Sequence, residues 1–231
     1  MLVAANWKMC KGPEETRRFC TAFSRPAGVE AVICPPFVSL AAALESDHPV
    51  FAQNVHWADE GPFTGEVSAP MLRELGVSGA IVGHSERRQY FGETDETVAR
   101  RAVAALEHNL RVIACIGESL EEREAGQMEL VLRVQVEAIA EATGPHERLV
   151  IAYEPVWAIG TGLTATPDQA REAHAFVKGI LDVPVLYGGS VKPDNAGELL
   201  AEDGVDGALV GGASLDVESF TAICQAAASL S

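Results

Sequence analysis

The sequence predicts an α/β fold, a single (β/α)8 barrel formed by residues 1–231 as one domain. Three observations point there. Eight apolar runs rich in Val and Ile recur at fairly even spacing, and most do not alternate with polar residues. Strands that read this way are buried on both faces, as in a parallel sheet covered by helices. Amphipathic segments lie between the runs, and 231 residues suits one such barrel. A doubly wound sheet also alternates strand and helix. The spacing favours the barrel, and the motifs below decide it.

The runs are Leu2–Ala5, Ala31–Cys34, Val50–Ala52, Ala80–Val82, Val112–Ile116, Leu149–Tyr153, Val183–Tyr187 and Ala208–Val210. Between the fourth and fifth, Val98, Ala102, Ala105 and Leu106 stand at i, i+4, i+7 and i+8. That is one helical face, with Arg100, Arg101 and Glu107 expected to point away from it. Thr166-Pro167-Asp168-Gln169 starts a helix: Thr166 caps, Pro167 suits the first helical position, and Gln169 reaches back to complete a capping box. There is no linker or low-complexity tract to divide the chain.

Composition narrows the function. Hydrophobic residues make up 48% and charged residues 22%, which fits a folded chain with a large core. No apolar run reaches the roughly 20 residues of a membrane span, and the N-terminus does not read as a signal peptide. The five cysteines are scattered, with no CxxC pair, and read as reduced thiols of a cytoplasmic protein. A net charge of -16 argues against nucleic acid and anionic membranes as partners. It also means that an anionic substrate needs a locally positive site.

In this fold chemistry sits at the C-terminal ends of the strands. The first run ends in Asn6-Trp7-Lys8, the fourth in Gly83-His84-Ser85-Glu86, the sixth in Glu154-Pro155, the seventh in Gly188-Gly189-Ser190 and the eighth in Gly211-Gly212. A single Gly pair is most simply a tight turn. Two pairs at the seventh and eighth strand ends, where this fold usually binds phosphate, point to a phosphate cradle. Glu154, at the rim of an apolar strand beside Trp157, is expected to be partly desolvated and so a stronger base; taken alone it reads equally as a salt-bridged residue. His84 begins a short helical turn, where a cation is disfavoured and the ring tends to stay neutral; an isolated His is more often structural. No metal-ligand spacing, nucleophile elbow or Walker loop is present. A base, a neutral electrophile, a cation and a phosphate cradle suit proton abstraction beside a carbonyl on a small phosphorylated substrate.

These segments carry a resemblance. Ala5-Asn6-Trp7-Lys8-Met9, Ala52-Gln53-Asn54, Phe63-Thr64-Gly65-Glu66, Val82 through Arg88, Phe91-Gly92-Glu93-Thr94, Ala152 through Gly162, Tyr187 through Val191 and Leu209 through Ser214 resemble the signature segments of the triosephosphate isomerase family, in the family's order and in seven of eight units. The resemblance implies a TIM barrel and a cofactor-independent isomerase of triose phosphates, a step of glycolysis and gluconeogenesis. Glu154 would shuttle the proton, and His84 would polarise the carbonyl and stabilise the enediolate. Lys8 would offset the developing charge, and Asn6 would position the substrate. Gly160, Ser190, Gly211 and Gly212 would offer backbone N–H groups to the phosphate, with Glu86 supporting the His84 and Lys8 region and Ser85 beside it. Residues 155–165 would form a lid. A homodimer is implied, with the loop 56–66 set beside residues 8–12 of the partner and Thr64 buttressing the partner's rim.

Departures from the family pattern are modest. Leu163 stands where Lys is usual, Pro62 where Ala is usual, and Cys10 where Asn is usual, and the connection Lys178–Asp182 is short. A barrel of indole glycerol phosphate synthase type would keep the phosphate turns but lack the GHSERR and YEPVWAIGTG segments, both of which are intact. A non-catalytic barrel would have lost Glu154, His84 or Lys8, and all three are present.

Overall fold

A computed structural model describes residues 1–159 and 164–230. The strands are β1 (Leu2–Asn6), β2 (Glu30–Cys34), β3 (Phe51–Ala52), β4 (Gly79–Val82), β5 (Arg111–Ile116), β6 (Leu149–Tyr153), β7 (Val185–Tyr187) and β8 (Gly207–Val210). All pair in parallel, in the order β2-β1-β8-β7-β6-β5-β4-β3. A parallel bridge between Ile33 and Val50 links β2 to the segment leading into β3 and brings the two ends of the sheet together. The result is the (β/α)8 TIM barrel that the apolar runs predicted.

Each run became a strand because its alternate residues are buried on opposite sides. Leu2, Ala4, Val32, Cys34, Ile81, Ile113, Cys115, Val150, Ala152 and Leu186 fill the barrel interior together with Phe51 and Leu209. Their neighbours Val3, Ala5, Ile33, Val82, Ala114 and Ile151 belong to the outer core with Phe19, Val98, Leu132, Val177 and Phe220 from the helices. The seventh run is shorter than expected at its start. Pro184 has no N–H to donate, so the strand begins at Val185, while the Pro184 carbonyl still accepts from Ile151 N–H at 3.0 Å.

The longer helices are Pro13–Ala22, Asp95–Glu107, Met128–Thr143, Pro167–Ile180 and Val217–Ala228. The start at Thr166 forms as read: Thr166 Oγ1 accepts from Gln169 N–H at 3.3 Å and Gln169 Oε1 from Thr166 N–H at 2.9 Å. One expectation on Asp95–Glu107 fails. Arg100 and Glu107 are exposed, but Arg101 is only 5% exposed. It lies three residues after Val98 and four before Ala105, both on the buried stripe, so helical geometry turns it inward. Arg101 Nη1 donates to Val55 O at 2.6 Å and Asn54 Oδ1 at 3.2 Å, and its Nε lies 3.5 Å from the buried Glu93 carboxylate. Paired this way, the charge is tolerated in the interior and anchors the base of the loop 56–66.

Candidate active site

The first strand delivers two groups to the rim. Asn6 is 5% exposed, and its Oδ1 accepts from Lys8 N–H at 3.1 Å. Lys8 has φ 51°, a left-handed backbone that L-residues adopt at a cost. Gln53 helps to hold it, donating from Nε2 to Lys8 O at 2.9 Å and to Cys34 O at 2.8 Å. The Lys8 ammonium reaches Glu86 Oε1 at 2.5 Å. Glu86 thus sets the direction of the Lys8 side chain.

His84 caps the helix Ser85–Phe91. Its Nδ1 accepts from Glu86 N–H at 3.2 Å. Only an unprotonated nitrogen can accept, so this contact assigns the proton of a neutral ring to Nε2. Nε2 lies 2.9 Å from Glu154 Oε1, and the other Glu154 oxygen accepts from Ser85 N–H at 2.8 Å. Arg88 braces this turn, donating from Nε to Gly83 O at 2.9 Å and from Nη2 to Cys115 O at 3.3 Å.

Glu154 is 1% exposed. Burial pushes its carboxyl pKa up, as the sequence suggested. The charge and hydrogen bond of His84, the Ser85 N–H and Lys8 more than offset this and leave it below the usual value. For His84 burial acts downward, and the Glu154 charge and hydrogen bond raise the ring above its usual value. The expectations of a raised Glu154 and an unassisted neutral His84 therefore miss the pairing. Each group stabilises the charged form of the other, against the cost of burial.

Glycines allow the carboxylate to sit here. A Cβ on Gly117 would lie 1.8 Å from the Glu154 carbonyl oxygen, and one on Gly188 would lie 2.9 Å from Glu154 Cγ. Glu154 N–H donates to Ile116 O at 2.7 Å, which fixes the end of β6 against β5.

These groups open onto a cavity of about 710 Å³. Asn6, Lys8, His84 and Glu154 line it together with Gly188, Gly189 and Ser190 after β7 and Gly211 and Gly212 after β8. Trp7 ties the β8 turn to β1, since its Nε1–H donates to Ser214 O at 3.1 Å while Ser214 Oγ donates to Gly211 O at 2.7 Å. The structure thus brings together Asn6, Lys8, His84, Glu154, Ser190, Gly211 and Gly212, with Ser85 and Glu86 directly behind them. Thr64 stands apart on the exposed loop 56–66. Gly160 and Leu163 lie outside the described residues, as does the middle of the expected lid. Among the described residues no group of three or more His, Cys, Asp or Glu side chains could hold a metal ion.

Glu118 was missed in the sequence. Its side chain is fully buried, and its Oε1 accepts from Tyr153 OH and Trp157 Nε1, both at 3.0 Å, with Arg123 at 3.5 Å. Its carbonyl accepts from Val156 N–H at 3.0 Å. Glu118 therefore pins the chain on both sides of Glu154. The signal is a carboxylate just past the end of the fifth strand, where no motif of known chemistry begins. Trp157, expected beside Glu154, donates from Nε1 to Glu118.

The whole-chain comparisons agree with this geometry. The family model for triosephosphate isomerase matches residues 1–227. The triosephosphate isomerase of Solibacter usitatus is 52% identical, with 96% of this chain and 97% of that protein covered. Those of Moorella thermoacetica and Xanthomonas campestris pv. campestris are each 50% identical, the first covering 96% of both chains and the second 98% of both. By its fold, its rim residues and these relatives, the chain belongs to the triosephosphate isomerase family.

Proposed function

We propose that this chain interconverts dihydroxyacetone phosphate and D-glyceraldehyde 3-phosphate through an enediolate, with Glu154 as the base that moves the proton between the two carbons and His84 as the electrophile. The observation that carries the reading is the Glu154–His84 pair in the wall of a cavity bounded by two Gly-rich turns. A carboxylate held ionised is ready to accept a proton. To reach a substrate carbon it must leave Ser85 N–H and His84 Nε2. It then loses the partners that lowered its pKa while burial remains, so its basicity rises as it engages.

The same departure resets His84. Without the Glu154 charge, burial, Lys8 and the Glu86 N–H favour the neutral ring against the smaller pull of the Glu86 carboxylate, and the ring's Nε2–H is free to donate to the substrate carbonyl. Lys8 supplies positive charge where the enediolate oxygen develops, and Asn6 positions the substrate beside it. Ser190, Gly211, Gly212 and Gly160 are assigned to the phosphate. Residues 155–165 are assigned to a lid that excludes water.

The test is a coupled assay in both directions, run beside the reaction in D2O. Isomerisation with deuterium from solvent entering the product at the migrating position supports proton transfer through an enediolate. Turnover without any solvent deuterium, with the substrate hydrogen carried across intact, contradicts a base that exchanges with water.

The assembly we infer is a homodimer in the cytoplasm. Met9 is 96% exposed beside Cys10, and Phe63 on the loop 56–66 is 41% exposed, so both expected contact regions present apolar surface. All five cysteines are free thiols. A dimer of this form shields Cys10, so a methylthiolating reagent modifies it faster in dilute than in concentrated protein, with loss of activity. A fully active dimer carrying the adduct at Cys10 contradicts the assignment.

A further inference from the structure

The cavity carries one cation that the proposed mechanism does not use. Of the four lysines, Lys8 pairs with Glu86, Lys178 pairs with Asp206, and the Lys11 ammonium lies over the Trp7 and Phe19 rings. The Lys192 ammonium has no ion-pair, hydrogen-bond or ring partner among the described residues. It is exposed, and it lines the same cavity as Glu154 and His84. Its root is fixed to that cavity. Lys192 N–H donates to Asn195 Oδ1 at 2.8 Å, and Asn195 Nδ2 donates to Ser190 O at 3.0 Å.

Apart from the His84–Glu154 pair, whose members stabilise each other's charged forms, the charged side chains lining the cavity are Lys8 and Lys192 against Asp194. Lys8 is already matched by Glu86 behind it. The chain as a whole stands at -16, so its long-range field repels a dianion. Lys192 is the uncommitted positive charge among the described lining residues.

We propose that Lys192 is the capture residue of this site: it draws the phosphate dianion to the mouth of the cavity and takes no part in the proton transfer. The proposal rests on the reading that the substrate is a triose phosphate. A dianion about 8 Å from one unit charge in water gains roughly twofold in capture at physiological ionic strength, and roughly fourfold near 0.01 M salt.

The test compares Lys192→Gln and Lys192→Glu with Arg18→Glu, which makes the same net charge change on the outer helix Pro13–Ala22, where the Arg18 side chain is 75% exposed. At physiological salt, kcat/KM should fall about twofold in Lys192→Gln and about fourfold in Lys192→Glu, with kcat unchanged. Near 0.01 M salt the loss in Lys192→Glu should grow to roughly 15-fold. Added salt should therefore raise kcat/KM of Lys192→Glu while leaving the wild type and Arg18→Glu nearly flat. Calorimetry with inorganic phosphate reads the same loss of affinity without turnover. Equal kcat/KM in Lys192→Glu and Arg18→Glu at every salt concentration overturns the proposal, and so does a fall in kcat. A wild type that binds phosphate through Lys192 but does not turn over triose phosphates leaves the capture role standing and refutes the isomerase reading.

Discussion

Glu154 Oε1 lies 2.9 Å from His84 Nε2, so the two groups assigned to opposite halves of the chemistry are bonded to each other before substrate arrives. Their mutual stabilisation keeps a buried carboxylate ionised, and its release makes that carboxylate more basic.

Gly188 sets the position of Glu154. In Gly188→Ala the new methyl would stand 2.9 Å from Glu154 Cγ and 3.1 Å from Tyr153 O. The backbone there does not have positive φ, so the strain comes from the contacts, the tightest of them with Glu154. A displacement of a fraction of an ångström at the base should lower kcat by about 10- to 100-fold. Steady-state kinetics beside thermal unfolding checks this. Wild-type kcat in a folded Gly188→Ala protein would show that Glu154 does not depend on the gap.

Arg101 is the clearest buried charge outside the site. Arg101→Leu removes the donors to Val55 O and Asn54 Oδ1 and one of the two arginines facing Glu93, leaving Arg87 at 2.5 Å. The expected loss is roughly 3 kcal/mol of unfolding free energy. Hydrogen exchange should quicken at His56 and Trp57, since Arg101 also lies 5.0 Å over the Trp57 ring. Arg101→Lys should recover part of the stability. Denaturant unfolding of the two variants decides it, and equal stability of Arg101→Leu and wild type would show the network to be idle.

His174 makes stability depend on pH. It is fully buried, its Nδ1 lies 3.1 Å from Gly204 O, and its Nε2 has no hydrogen-bond partner among the described residues. Burial pushes its pKa down to about 4, against a partial rise from the Gly204 carbonyl. The unfolded chain, with a His pKa of about 6.5, binds the proton more readily than the folded one. Stability from this group is therefore complete above about pH 6.5 and declines as pH falls towards 4, by on the order of 3 kcal/mol at the limit. His174→Gln should flatten the unfolding profile across that window. Parallel profiles for the variant and the wild type would place the titration elsewhere.

Much of this was legible in the sequence, for physical reasons. A strand buried on both faces leaves an unbroken apolar run, and all eight runs became strands. Asn6, Lys8, His84, Glu154, Ser190, Gly211 and Gly212 could be gathered because the fold brings strand ends to one rim. The His84–Glu154 bond could not be read, because it joins residues far apart in the chain and depends on side-chain reach. Arg101 was misplaced by residue type, although its spacing from Val98 and Ala105 already put it on the inner face. Glu118 and Gln53 act by holding backbone and side chains of their neighbours, which leaves no pattern along the chain.

The central claim is that Glu154 is the base and that its reach matters. Glu154→Asp keeps the charge but withdraws the carboxylate by about one C–C bond length, and a misplacement on the order of 1 Å costs roughly 10²-fold in rate. The measurement is kcat of Glu154→Asp for triose phosphate interconversion, with inhibition by inorganic phosphate followed in parallel. The account predicts a kcat lower by about 10²-fold with phosphate affinity nearly unchanged, because Lys8, Ser190 and the Gly-rich turns remain. A kcat near that of the wild type would contradict it.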